Sequence, residues 1–214
     1  LDSNRHSSLG RRSFLQNSLL TAAAGATGLI ASAPEAEAKS YRTIVIDAGH
    51  GGHDLGAHEG RVFEKHLNLD VSRRLEIQLK RRGFRTVMTR DRDVFIPLLT
   101  RSSISNKYRS NLFVSIHFNS SWKSHVDGIE TFYYSYTGYQ LAAAVQTDII
   151  RKLRAENRGV KRASFSVLRN TSCPAILVEG GFVSNSQERG KMLQAWYRQA
   201  LAESVAKGIA DFAR

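Results

Sequence analysis

Three short apolar runs in this chain each end on a residue able to bind a metal or move a proton. Thr43-Ile44-Val45-Ile46 runs into Asp47, Ala48, Gly49 and His50, with Gly51 and Gly52 just beyond. Leu112-Phe113-Val114-Ser115-Ile116 delivers His117, and Ala175-Ile176-Leu177-Val178 delivers Glu179. Runs this short and this rich in Ile and Val read as buried strands. The glycines let the chain turn sharply where the first strand stops. A side chain at such a strand end sits on a rigid support and projects into a loop, where α/β folds carry their sites. Three strand ends of this kind point to one site.

Amphipathic helices fill the intervals. Leu67, Val71, Leu75 and Leu79 recur every four residues, with Arg73, Arg74, Lys80 and Arg81 off the stripe and Gly83 at the end. Glu64 falls in the first turn of that helix, where the helix dipole favours a carboxylate. Residues 84–90 alternate as a second strand, and Pro97 opens a helix over about 98–108. Residues 128–134 form a strand by their β-branched and aromatic content, and 139–155 a helix with Leu141, Val145 and Ile149 on one face. Asn157-Arg158-Gly159-Val160-Lys161 breaks the pattern, 165–168 is a short edge strand, and one helix over about 187–212 closes the chain with Leu193, Tyr197, Leu201, Val205 and Ile209 as its stripe. Strands alternating with helices predict an α/β fold: a single domain whose largely parallel central sheet is flanked by helices on both faces. A length of 214 residues suits one domain with a sizeable core.

The first 38 residues belong to a different kind of segment. Gly10-Arg11-Arg12-Ser13-Phe14-Leu15 is a twin-arginine pattern, residues 19–33 are modestly apolar and rich in Ala and Gly, and Ala36-Glu37-Ala38 offers a small-x-small cleavage site. That order is the signature of a bacterial twin-arginine signal peptide, which sets residues 1–38 apart from a functional domain at 39–214 and places the mature protein in the periplasm or cell envelope. No stretch is apolar and long enough to leave a membrane span after cleavage. In the leader three arginines offset three acids, so the mature domain carries the whole net charge of +12. Such a surface favours an anionic partner, and for an exported protein that is the wall. Nucleic acid has charge alone in its favour, without any aromatic-basic motif.

Two histidines and a glutamate form a common zinc set when one coordination position stays open for water. His50, Glu64 and His117 would supply the ligands, leaving Glu179 to shuttle a proton. The long spacing makes this a moderately specific pattern, and His53, His58, His66 and His125 compete for the role. A phosphate cradle is the weaker alternative for the glycine loop, because neither Gly-Lys-Ser/Thr nor Gly-x-Gly-x-x-Gly is present.

A family resemblance sharpens these expectations. Asp47-Ala48-Gly49-His50-Gly51-Gly52-His53-Asp54-Leu55-Gly56-Ala57 resembles the opening motif of the zinc-dependent N-acetylmuramoyl-L-alanine amidases of the type-3 family. The likeness continues through Glu64-Lys65-His66-Leu67-Asn68-Leu69, Thr89-Arg90 with Asp93, Leu99 and Arg101, and Leu112 to Asn119. It ends with Asn157-Arg158-Gly159-Val160-Lys161, Val167-Leu168-Arg169 and Pro174 to Asn185. The resemblance implies a peptidoglycan hydrolase that cuts between N-acetylmuramic acid and L-alanine of the stem peptide. By position it makes His50, Glu64 and His117 the ligands of one Zn²⁺ and Glu179 the catalytic glutamate. Ser110-Asn111 departs from the usual Ala-Asp, and Ser120 from the usual Ala. Some family members carry an inserted helix that covers the zinc until an activator protein displaces it. Here only Ser135-Tyr136-Thr137-Gly138 separates the strand from the next helix, which is too short for such an insertion and implies no obligatory activator. The alternatives are a zinc peptidase or amidase acting on other acylated peptides, and a wall-binding module without catalysis.

Overall fold

The computed structural model describes residues 41–108 and 111–213. The twin-arginine leader and its cleavage site, and Ser110, lie outside the described residues.

Strand β1 (Thr43–Ala48) is followed by a hairpin of β2 (His58–Glu59) and β3 (Val62–Phe63), then helix α1 (Glu64–Arg81), strand β4 (Arg85–Met88) and helix α2 (Leu98–Asn106). Next come β5 (Asn111–Asn119), β6 (Ile129–Tyr133), α3 (Tyr136–Leu153), β7 (Asn157–Arg162), α4 (Ser166–Arg169), β8 (Ala175–Phe182), α5 (Ser186–Met192) and α6 (Ala195–Phe212). The main sheet has the order β4-β1-β5-β8-β6-β7. The first four strands are parallel, β6 is antiparallel to β8, and β7 is parallel to β6. The expected fold is therefore present: a largely parallel sheet, with α1, α3 and α6 on one face and α2 and α4 on the other.

Period-two alternation sorts the strands between two cores. Ile44, Ile46, Leu112, Val114, Ile116, Ile176 and Val178 face α1, α3 and α6, where Leu75, Leu141, Val145, Leu201 and Val205 are also fully buried. Each such side chain contributes about 1.5–3 kcal/mol relative to exposure. Val45, Phe113, Leu177 and Ala175 face the thinner layer made by α2 and α4. Further along that second face the same alternation brings Asp47, Ser115, His117 and Glu179 to the surface of the sheet. The cross-strand register places Asp47 beside Ser115, His117 beside Glu179, and Glu179 beside Glu130.

Four local expectations are corrected. Residues 166–169 form the one-turn helix α4 in place of the edge strand expected over 165–168, because so short a run carries too little period to separate the two. Residues 157–161 form the edge strand β7 instead of a break; its charged side chains hid it, and they suit an exposed edge. The final helix is two helices. Asn185 caps α5 by accepting from the amides of Gln187 and Glu188, and Arg198 Nη1 reaches back to the Met192 carbonyl at its end. Leu193 at this joint is exposed, outside the buried stripe that Tyr197, Leu201, Val205 and Ile209 do form. Helix α3 starts three residues earlier than expected, with Ser135 as its N-cap accepting from Gly138 N, so only Tyr134 and Ser135 connect β6 to it.

Candidate active site

His50 stands just past the end of β1, in the left-handed backbone region with φ 59°. A non-glycine residue held there costs on the order of 1–3 kcal/mol, so the surroundings must enforce it. Two buried arginines do. Arg101 donates from Nη1 to the Ala48 carbonyl (2.7 Å) and from Nη2 to the His50 carbonyl (2.8 Å); Arg90 donates from Nε to Ala48 O (2.8 Å) and from Nη2 to Gly49 O (2.7 Å). Arg101 Nη1 also pairs with Asp47 Oδ1 at 2.9 Å, and the same carboxylate accepts from Thr89 Oγ1 and Ser115 Oγ. Removing either partner of the buried Asp47–Arg101 pair would cost about 3–5 kcal/mol, because the other charge would be left buried and unpaired. Asp93 completes the frame by accepting from Gly52 N (2.8 Å) and Lys65 Nζ (2.7 Å).

Glu64, the first residue of α1, lies between the two histidines. His50 Nε2 is 3.1 Å from its Oε2, and His117 Nδ1 is 2.9 Å from its Oε1. Ala57 N, Phe118 N and Asn68 Nδ2 also donate to this carboxylate. Donor atoms of His50, Glu64 and His117 all lie within 4.8 Å of one another, the one such cluster among the described residues. Burial disfavours charge on Glu64, yet His117 and His50 outweigh it and hold the carboxyl well below its ordinary range. Burial likewise opposes charge on His50, but Glu64 and Asp54 prevail and raise its pKa. The glycines make room for this cluster. A Cβ on Gly49 would sit 2.2 Å from the His117 ring, and one on Gly56 would sit 2.4 Å from Glu64 Oε2.

Glu179 flanks the cluster across the β5–β8 ladder. It is partly open to the cleft, while its Oε2 is buried without a hydrogen-bond partner. Burial, with the neighbouring carboxylates of Glu64 and Glu130, pushes its carboxyl well above the ordinary range. The cleft over these groups measures about 490 Å³ and is walled by Phe95, Ile96, Leu98 and Phe165. The structure thus gathers all four residues singled out in the sequence. The competing histidines lie elsewhere: His53 packs on Phe95, His58 and His66 pack on Phe63, and His125 is exposed.

Some contributors had no assigned role from sequence. Asp54 Oδ2 lies 2.8 Å from His50 Nδ1, which fixes that ring with Nε2 toward Glu64, as a carboxylate behind a metal-binding histidine does. Its position four residues after His50 in a glycine loop was the available signal. Asn111, where the family pattern has Asp, donates to the Ser105 carbonyl (3.0 Å) at the end of α2, a bond a carboxylate cannot make.

A family model described as N-acetylmuramoyl-L-alanine amidase matches residues 44–211. The chain belongs to that family. Among relatives of this amidase, LytC of Bacillus subtilis, named as an N-acetylmuramoyl-L-alanine amidase, is 35% identical over 178 residues, which cover 80% of this chain and 36% of LytC. The amidase AmiC2 of Nostoc punctiforme superposes with a TM-score of 0.77 at 37% identity, covering 80% of this chain and 97% of that one. The CwlD amidase of Clostridioides difficile, solved in complex with the GerS lipoprotein, gives a TM-score of 0.77 at 29% identity, covering 80% and 98%.

Proposed function

We propose that this amidase hydrolyses the amide between N-acetylmuramic acid and L-alanine of the peptidoglycan stem, with one Zn²⁺ held by His50, Glu64 and His117 and with Glu179 as the acid/base. The carrying observation is three clustered metal donors beside a glutamate whose buried Oε2 has no partner. The donor set suits zinc: two imidazoles and one carboxylate, with the His50 ring oriented by Asp54 at Nδ1 so that Nε2 faces the cluster. Zinc there supplies a polarised water and a Lewis acid for the carbonyl oxygen. Glu179 takes a proton from the attacking water and passes it to the departing nitrogen. In the metal-free protein, burial and the carboxylates of Glu64 and Glu130 raise the affinity of Glu179 for a proton. The apolar side chains of Phe95, Ile96, Leu98 and Phe165 line one side of the cleft. A wall-binding module without chemistry would have no use for a buried unpaired carboxylate next to a metal cluster, because such a group costs stability.

The mature enzyme acts in the cell envelope after twin-arginine export. Arg11→Lys with Arg12→Lys should hold the precursor in the cytoplasm, read by fractionation and immunoblot; mature protein outside the membrane in normal amount contradicts the export route.

The site is open without a displacing partner. Two residues, Tyr134 and Ser135, join β6 to α3, and Tyr136 already lies in the helix, so there is no covering helix at that junction. Zinc-loaded protein should therefore solubilise purified peptidoglycan without added protein. A folded, zinc-loaded sample that stays inert until a second protein is supplied contradicts this.

A further inference from the structure

The Asn157-Arg158-Gly159-Val160-Lys161 motif is not used by the chemistry above, yet it lies next to it. In β7 a bulge adds one residue opposite Ile129 to Thr131 of β6, and Gly159 takes it up with φ 78°. Residues three apart in a regular strand face opposite sides; the bulge brings Arg158 and Lys161 to the same side. Both reach Glu130 Oε2, Arg158 from Nε at 3.1 Å and Lys161 through its ammonium. Glu130 Oε1 already accepts from Asn119 Nδ2 at 2.8 Å, so Asn119 and Arg158 alone would satisfy that buried carboxylate. Glu130 is also the cross-strand neighbour of Glu179.

The two cations differ in how far they are committed. Arg158 also donates to the Asp127 carbonyl (3.3 Å) and lies over the Phe182 ring at 5.1 Å. Lys161 shows Glu130 as its partner, its side chain is 41% exposed, and its ammonium carries three donors. Two cations on one carboxylate leave one positive charge in surplus at Glu130, whose strand lies beside that of Glu179, while Lys161 itself stands on β7, two strands from Glu179.

The direction in which the substrate leaves gives that charge a purpose. Glu179 protonates the departing nitrogen, so the leaving peptide starts on its side of the site. Strands are about 4.8 Å apart, so two spacings put the Lys161 backbone roughly 10 Å from that of Glu179, and its ammonium, held at Glu130 on the strand between them, comes closer than that. An extended peptide covers about 3.3–3.6 Å per residue, so this is the reach of the second or third residue. We infer that Lys161 binds a free carboxylate of the leaving stem peptide, at the second or third residue, and so makes the amidase sensitive to amidation of that carboxylate. This rests on the amidase reading above. Glu130 and Arg158 position the ammonium.

The test uses zinc-loaded full-length protein and N-acetylmuramoyl tripeptides in which the free α-carboxylate of the second residue, or the carboxylate of the third, is converted to its amide. The readout is the ratio of kcat/KM for the acid over each amide. For the wild type, one ratio should be about three- to thirty-fold, between an exposed ion pair and a charge-assisted hydrogen bond. In Lys161→Met the ratio should fall close to one; in Lys161→Arg it should persist. A purely structural lysine would lower kcat/KM for acid and amide alike and leave the ratio intact, which would overturn the inference. So would a wild type with ratios of one for both amides. Failure to cut any of the tripeptides would overturn the amidase reading and this inference with it, whereas cutting without discrimination overturns this inference alone.

Discussion

Replacing Glu179 with Gln should lower turnover about 10²–10⁴-fold while zinc stays bound, the range for losing a general acid/base. The amide has nearly the same shape and can hydrogen-bond, but it cannot accept and return a proton. The same change should stabilise the metal-free fold. Burial and the carboxylates of Glu64 and Glu130 raise the Glu179 pKa in the folded state above its unfolded value of about 4.3. A carboxyl with a raised folded pKa holds its proton more tightly in the native state. Its contribution is fully present below the unfolded pKa and is lost as pH rises through the folded one. Glu179→Gln should therefore raise the melting temperature of metal-free protein more at pH 8 than at pH 4. Near-normal turnover would move the proton-carrying role to another residue, and a melting temperature that drops equally at both pH values would recast Glu179 as a structural acid.

The second large effect concerns the metal. His50→Ala and His117→Ala should each lose zinc by elemental analysis and fall to background activity, because each would remove one of the three proposed protein ligands. Asp54→Asn gives a graded comparison. It would keep all three proposed ligands but weaken the hydrogen bond that orients His50, and should cost about 10–100-fold in metal affinity. Stoichiometric zinc in both histidine variants would refute the ligand set.

The parts legible in the sequence were those with a local period. Leu67, Val71, Leu75 and Leu79 declare a helix face by themselves, and all are buried as that reading requires. The runs ending at His50, His117 and Glu179 declare strands, and the parallel sheet then brings their ends together. The frame around the site was not legible in the same way. Arg90 and Arg101 each act on the loop at Ala48 from roughly forty to fifty residues downstream, and a charged residue has no periodicity to announce such a partner. The family resemblance marked these arginines; only the folded chain shows that they hold His50 in its left-handed conformation. The Asn157–Arg162 strand was hidden for a related reason. Its pattern is that of an edge, charged and bulged, with Gly159 where a regular strand would place a packing side chain.

The central questions for this amidase are which bond is cut and what cuts it. Mass spectrometry of peptidoglycan fragments digested by the zinc-loaded protein, with and without a chelator, addresses both. The expected products are stem peptides with a free L-alanine amino group, alongside glycan whose lactyl group bears a free carboxylate, and the chelator should abolish them. Cleavage within the peptide or the glycan, or the same products in full yield after zinc is removed, would contradict a zinc amidase built on His50, Glu64, His117 and Glu179.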